Sequence, residues 1–372
     1  MAIPMGVCRG LRRLTVAPLA TMTRAEEIPL VPEGAFAEEV PPSAERWEDR
    51  KRAIRATLWE LFWDLPPQRT PAAVVDRSER REGYRLEHIT FGNGVGHTVF
   101  GYAMIPDDRG RRAPAVLYHH YHGGRYANGK EEALDRTAFD KYGNLGFAPA
   151  ERLAQMGYVV VAIDAYAFGE RRWQGPAGKK EEGRQTEWAL AKTFLWAGRN
   201  LWAMMVLDDI LALNYLCGRP EVDPDRVACM GMSMGATRSW WLAAMDDRIK
   251  ACVSVSCLTR YQNLIAAGAV NQHGFYYFVP GMLRRGIDAE AVIGCIAPRA
   301  HLTLSGDEDA GSPVDGIRMI NAFQERIYGL YGRGDCFRGI VYEKTGHVWS
   351  PAMWDETIAW LKRHIGEPEK GR

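Results

Sequence analysis

The run Asp225-Arg226-Val227-Ala228-Cys229-Met230-Gly231-Met232-Ser233-Met234-Gly235-Ala236 decides how this chain is read. A short apolar segment, 227–230, leads directly into G-x-S-x-G, and a helical pattern over 236–245 follows. That is a strand, a sharp turn and a helix. The serine of such a turn sits in strained backbone angles, so the flanking positions must be as small as possible, and Gly231 and Gly235 meet that demand. A serine held there projects its Oγ from the end of the strand, at a helix start whose dipole favours developing negative charge. Ser233 is therefore the candidate nucleophile.

Outward from this point, short apolar runs alternate with longer amphipathic stretches. The runs are 115–118, 158–163, 227–230, 251–255, 301–304 and 339–342. Helical patterns fall at 149–156, 187–217, 236–245, 314–331 and 351–365. Continuous apolar strands separated by helices predict an α/β fold, a mostly parallel central sheet covered by helices on both faces. Two earlier strands, 84–91 and 98–105, are separated only by the turn signal Gly92-Asn93-Gly94, so they should pair antiparallel at one edge. Further upstream, Trp47, Ile54, Leu58, Leu61 and Phe62 recur at helical spacing over 44–65, and Pro66-Pro67 stops that helix. The expected organisation is a flexible tail over 1–42, a helical extension over 43–80 and a catalytic domain over 81–366. Within the last, 258–298 interrupts the alternation. It has an aromatic centre, Phe275-Tyr276-Tyr277-Phe278, and reads as an insertion over the C-terminal edge of the sheet, where such folds bind ligands.

A serine hydroxyl needs a base within hydrogen-bond reach, and after a turn of this type the acid and then the base follow in chain order. The later histidines are His273, His301, His347 and His364. His301 opens an apolar strand and His364 lies near the end of the last helix. His347 follows the last strand in Lys344-Thr345-Gly346-His347, on a loop leaving the C-terminal edge, and is the candidate base. The loop after 301–304 offers Asp307, Glu308 and Asp309, one of which should orient the imidazole. Two N–H groups should meet the oxyanion of a tetrahedral intermediate. Met234, next after the serine, gives one. The loop His119-His120-Tyr121-His122-Gly123-Gly124 gives the other, at Gly124 or alternatively Gly123. The three histidines of that loop lack the companion ligands of a metal site, so none is expected.

Composition narrows the partners. The 372 residues are 47% apolar and 25% charged with a net charge of +1, a balance that favours neither nucleic acid nor an anionic membrane. No run of eighteen apolar residues is present, so no membrane span is expected. Residues 1–24 carry four arginines and no acid. Their apolar stretch 14–22 is short and broken by Pro18, so the segment reads as a tail, with Met22 as an alternative start. The seven cysteines include no C-x-x-C pair and several lie inside apolar runs. This fits buried thiols in a reducing, cytoplasmic setting.

Taken together, the segments named above resemble the α/β-hydrolase superfamily, and within it the dienelactone-hydrolase-like and acetyl-xylan-esterase-like bacterial serine hydrolases. The matching features are His122-Gly123-Gly124 with Gly129-Lys130 behind it, 163–171, G-x-S-x-G at 231–235, the loop 305–313 and Gly346-His347. They span about residues 80–365. In these families the acid stands three residues after the loop glycine and four before a proline, and Gly306 and Pro313 frame Asp309 in that way. The resemblance thus implies a Ser233–Asp309–His347 triad and hydrolysis of a carboxylic ester, acetyl or another short acyl, on a small molecule and without metal or organic cofactor. The alternatives are a peptidase, a C–C or lactone hydrolase on the same triad, or a binding protein on a hydrolase scaffold. The resemblance also departs in places: dienelactone hydrolases proper are shorter and usually carry a cysteine nucleophile, and the N-terminal 80 residues and the aromatic insertion exceed a minimal hydrolase. Tyr166, Phe168, Tyr276 and Tyr277 are candidate substrate-pocket residues, and the N-terminal helix makes a homo-oligomer plausible.

Overall fold

The alternation of apolar runs becomes one nine-stranded sheet in the computed structural model, which describes residues 39–107 and 111–368. The strands are β1 (Val74–Arg81), β2 (Tyr84–Gly92), β3 (Thr98–Pro106), β4 (Ala113–His119), β5 (Val159–Ile163), β6 (Val222–Met232), β7 (Ala251–Val255), β8 (Ala300–Gly306) and β9 (Phe337–Tyr342). Their order is β1-β2-β3-β5-β4-β6-β7-β8-β9. From β5 to β9 every pairing is parallel; β1, β2, β3 and β5 pair antiparallel. The two early strands thus form an antiparallel edge, as their short turn requires. The chain leaves β4 toward β5 and returns to β6 on the other side of β4. The strand order reverses there, which opens a crevice at the C-terminal ends of β4 and β6.

The helices are α1 (Ala44–Phe62), α2 (Pro149–Met156), α3 (Arg184–Trp196), α4 (Leu201–Cys217), α5 (Met234–Met245), α6 (Tyr261–Ala266), α7 (Ala289–Gly294), α8 (Val314–Leu330) and α9 (Pro351–Ile365). Two apolar clusters lie on the two faces of the sheet, as alternating strand residues demand. Val159, Val161 and Ile163 of β5 join one, and Val160 and Ala162 the other. Helix α5, which starts at the nucleophile turn, is buried along its whole length.

Two features differ from the sequence expectations. Strand β1 was not expected, because Val-Val-Asp-Arg-Ser-Glu-Arg-Arg has no apolar face. It is almost wholly exposed and joins the sheet through its backbone, with charged side chains guarding the edge. The single helix expected over 187–217 is two, α3 and α4. Gly198 adopts φ +70°, and the Asn200 side chain caps α4 by accepting from the Ala203 N–H at 2.8 Å. Helix α1 is no loose appendage. Trp47 is fully buried with its ring 5.8 Å from that of Phe323, Lys51 Nζ donates to the Ala297 carbonyl at 2.8 Å, and Ile54, Leu58 and Phe62 join the main core. Strand β1 crosses the division drawn at residue 80. The tail read over 1–42 lies, except for 39–42, outside the described residues, as does Cys8.

Candidate active site

Ser233 stands between β6 and α5 with φ 58° and ψ −124°, a conformation that costs an L-residue energy and persists only where its surroundings fix it. They do so on both sides. The Ser233 N–H donates to Val255 O at 2.9 Å, and its carbonyl accepts from the Thr237 N–H at 3.0 Å. A Cβ on Gly231 or Gly235 would lie 2.3 or 2.0 Å from His119 O, so the end of β4 rests directly on the turn and the two glycines are obligatory. The side chain is mostly buried, with 8% of the residue exposed. Among the described residues the Met234 N–H, first in α5, has no acceptor.

His347 and Asp309 meet beyond the ends of β9 and β8. The imidazole Nδ1–H donates to Asp309 Oδ2 at 2.7 Å, and Asp309 Oδ1 accepts from the Gly311 N–H at 2.9 Å. With the proton on Nδ1, Nε2 is the basic nitrogen. Burial lowers the His347 pKa, but the hydrogen bond and charge of Asp309 outweigh it and leave the group above its usual 6.5. Asp307 has a different task. Its Oδ1 accepts from the Thr345 N–H at 3.2 Å, and the Glu308 N–H donates to Thr345 O at 2.9 Å. Both bonds clamp the Asp309 loop to the His347 loop, and Gly306 allows the approach, since a Cβ there would sit 2.0 Å from Thr345 O. The exit of β7 ties the His347 loop to the Ser233 turn. Val255 O holds Ser233, and the next residue, Ser256, donates from Oγ to Val348 O at 3.2 Å.

The loop after β4 is fixed from three sides. His119 Nδ1 meets Ser239 Oγ at 2.9 Å. His120 donates from Nδ1 to Tyr121 O at 2.9 Å and accepts at Nε2 from the Ala165 N–H at 3.0 Å. Both rings are fully buried, which drives their pKa values well below 6.5 and keeps them neutral. The Tyr121 N–H donates to Glu132 Oε2 at 2.8 Å. Gly124, the expected second oxyanion donor, is exposed, and its N–H is committed to His122 Nδ1 at 3.1 Å. The amides of the loop without a partner among the described residues are those of His122 and Gly123, and the alternative donor Gly123 is one of these two.

The four aromatic candidates divide. Tyr166 is fully buried. Its hydroxyl accepts from Asn93 Nδ2 at 2.6 Å, and Arg171, paired with Asp208 at 2.8 Å, lies 3.8 Å from its ring centroid. It belongs to a buried polar network, not to a pocket. Phe168 is also fully buried, stacked on Tyr126 at 4.8 Å and edge-on to His122 at 4.9 Å. It supports the β4 loop from behind. Tyr276 faces the His122 ring at 5.6 Å and bonds His273 Nδ1 at 2.9 Å. Tyr277 walls a cavity of about 380 Å³ between the insertion and the α3–α4 junction, with Leu201, Leu264, Val279 and Met282 among its lining residues. That cavity touches none of Ser233, Asp309 and His347. Sequence reasoning missed His273 and Glu187. Each is buried or half-buried among apolar neighbours, and neither stands in a motif.

A strained serine turn after a central parallel strand, with a carboxylate–imidazole pair on the loops that follow β8 and β9, is the arrangement of an α/β-hydrolase. The comparisons with known proteins agree. The pattern of the dienelactone hydrolase family matches residues 144–274. The provisionally named hydrolase YtaP of Bacillus subtilis (strain 168) is 34% identical over 311 residues, 84% of this chain and 98% of YtaP. The chain belongs to the dienelactone hydrolase family. Among solved structures, a glucuronoyl esterase from Solibacter usitatus is similar with a TM-score of 0.65 at 16% identity, over 90% of this chain and 98% of that one. The methylesterase BT1017 is similar with a TM-score of 0.63 at 18% identity, over 87% of this chain and 65% of that one. These structural likenesses share the α/β fold described above. No helix among the described residues is long and apolar enough to cross a membrane.

Proposed function

We propose that the protein is a serine esterase that hydrolyses a carboxylic ester, acetyl or another short acyl, on a small molecule. The observation that carries this reading is the 2.7 Å bond from His347 Nδ1 to Asp309 Oδ2, on the rim that also bears the strained Ser233 turn. The fixed tautomer leaves His347 Nε2 free to take the Ser233 hydroxyl proton as Oγ attacks the ester carbonyl. Charge then collects on the former carbonyl oxygen. The Met234 N–H and an amide of the His122-Gly123 pair are its donors, each worth roughly 3–4 kcal/mol of transition-state stabilisation. The imidazolium returns its proton to the departing alkoxide, which leaves as the alcohol. Water, deprotonated by the same Nε2, then attacks the acyl-serine, and the acid departs as Oγ recovers its proton. Esterases among the structurally similar proteins favour an ester over an amide as the substrate bond.

The test is hydrolysis of p-nitrophenyl acetate by wild type and Ser233→Ala, with fluorophosphonate labelling read by mass spectrometry. The expected outcome is a Ser233 adduct and loss of essentially all turnover in the variant. Equal rates from both proteins, or a label elsewhere, would sink the reading.

A further inference from the structure

Helix α3 brings a buried carboxylate to the mouth of the crevice. Glu187 is 1% exposed and collects three donors from three segments. Its Oε2 accepts from His122 Nε2–H at 3.2 Å and from the Tyr126 hydroxyl at 3.0 Å, and its Oε1 accepts from the Phe275 N–H of the insertion. The His122 proton can be placed. Nδ1 accepts from the Gly124 N–H, so Nε2 carries the hydrogen and points it at Glu187. Rings of Tyr126, Phe168 and Tyr276 enclose the imidazole at 4.9, 4.9 and 5.6 Å.

His122 and Gly123 are also the residues of this loop whose amides have no partner among the described residues. A side chain that sets the His122 tautomer sets the Gly124 amide, and with it the curvature of the loop at those two positions. The insertion is anchored at its other side as well. His273 Nε2–H donates to Gly311 O at 2.7 Å, and the Gly311 N–H holds the triad acid. The insertion therefore bridges the oxyanion loop and the acid loop, and Glu187 is its attachment at the oxyanion side.

We propose that Glu187 is a positioning residue: by holding the His122 Nε2–H and the Phe275 N–H together, it keeps the 119–124 loop in the shape that presents its free amides to the oxyanion. The inference rests on the serine-esterase reading above. It concerns the transition state, so its signature is a fall in kcat at nearly constant KM.

The test is a double-mutant cycle on p-nitrophenyl acetate turnover with Glu187→Gln and His122→Ala. In Glu187→Gln, an amide NH₂ must face either the His122 N–H or the Phe275 N–H, and the latch opens. The expected loss in kcat is about 10- to 100-fold, below the roughly 10²- to 10³-fold cost of removing an oxyanion donor outright. KM should stay within about threefold, as expected when only transition-state contacts are lost. The double variant should be no slower than the slower single one. Wild-type kcat in Glu187→Gln, or losses that multiply in the double variant, overturns the proposal. Gly274→Ala is the second arm if Glu187→Gln fails to fold. Its Cβ would lie 2.5 Å from His122 Nε2 and 2.8 Å from Glu187 Oε1, parting the same pair with the Glu187 carboxylate retained. The same kcat loss there supports the latch, and unchanged kcat refutes it. Failure of Ser233→Ala to abolish turnover would instead strike the esterase reading itself.

Discussion

Replacing Asp309 by asparagine should cost far more activity than the same change at Asp307, two residues away on the same loop. The difference follows from which atoms each carboxylate faces. Asp309 Oδ1 accepts from the Gly311 N–H at 2.9 Å, while Oδ2 accepts from His347 Nδ1 at 2.7 Å. An asparagine must keep its single carbonyl oxygen on one of these donors. With the oxygen on Gly311, its NH₂ faces Nδ1, which can only accept, and the imidazole proton moves to Nε2. The base then presents a donor where it needs a lone pair. The charge that stabilises the imidazolium is lost in the same step. Such a tautomer error drops kcat by roughly 10⁴ in the best-studied triad. At 1.36 kcal/mol per decade this is about 5.4 kcal/mol of transition-state stabilisation. Here the loss should reach about 10³ to 10⁴, since a flip of the side-chain amide can offer the oxygen to His347 for part of the time. Asp307 touches the Thr345 N–H and not the imidazole, so Asp307→Asn should keep kcat within about tenfold and lose about 1 kcal/mol of stability. Initial rates on p-nitrophenyl acetate at neutral pH, with thermal melts of both variants, decide the matter. Equal losses at the two positions, or an Asp309→Asn enzyme within tenfold of wild type, would refute the assignment of roles.

Further outcomes follow from the same geometry. The base must be neutral to accept the Ser233 proton, and Asp309 holds the His347 pKa above 6.5, so kcat/KM should be lost as pH falls through an inflection above 6.5. Asp309→Asn should shift that inflection downward, and a profile flat from pH 5 to 8 would contradict the assignment. Gly235→Ala forces a Cβ to 2.0 Å from His119 O, a backbone contact that cannot yield cheaply, so urea denaturation should show a loss of about 3 kcal/mol or more. Trp47→Ala empties a fully buried site against Phe323, and a loss of about 3–5 kcal/mol is expected in a single unfolding transition. A separate early transition would mean that α1 unfolds apart from the sheet.

The sheet was readable because its central strands are buried on both faces and so are written as continuous apolar runs. All six expected parallel strands formed, 227–230 as part of the longer β6 (Val222–Met232). Strand β1 left no such trace, because an exposed edge strand is specified by its partner's backbone and not by its own side chains. The break between α3 and α4 was hidden for another reason. Trp196, Ala197 and Leu201 continue an apolar pattern across Gly198, and only the Asn200 cap marks the new start. At the site, the serine turn was legible from its glycines and the place of His347 from the strand before it, whereas Asp309 was set apart from Asp307 and Glu308 only by the resemblance to known hydrolases. Gly124 has open space where a Cβ would stand, and a ring nitrogen two residues earlier takes its N–H, a contact that the glycine pattern does not announce. Contacts between distant segments, such as Glu187 with Phe275, have no local pattern to announce them.

That division has a physical origin in how the catalytic rim is assembled. Its chemistry needs three loops held to a fraction of an ångström, and side-chain packing alone leaves loops softer than that. Here the backbones touch one another directly. His119 O rests on Gly231 and Gly235, Thr345 O rests on Gly306, and Val255 O takes the Ser233 N–H. Small residues at those contacts are therefore conditions of assembly, and they are visible in sequence as G-x-S-x-G and as the glycine three before Asp309. The insertion adds a different kind of tie, through the ionisable side chains of Glu187 and His273, and joins the oxyanion loop to the acid loop from above. Backbone contacts of the first kind cannot loosen without unfolding the turn. Hydrogen bonds of the second kind can be released one at a time while the sheet stays intact. Substitutions at Glu187 and His273 should thus change turnover with little loss of stability, whereas those at the glycine contacts should destroy both together.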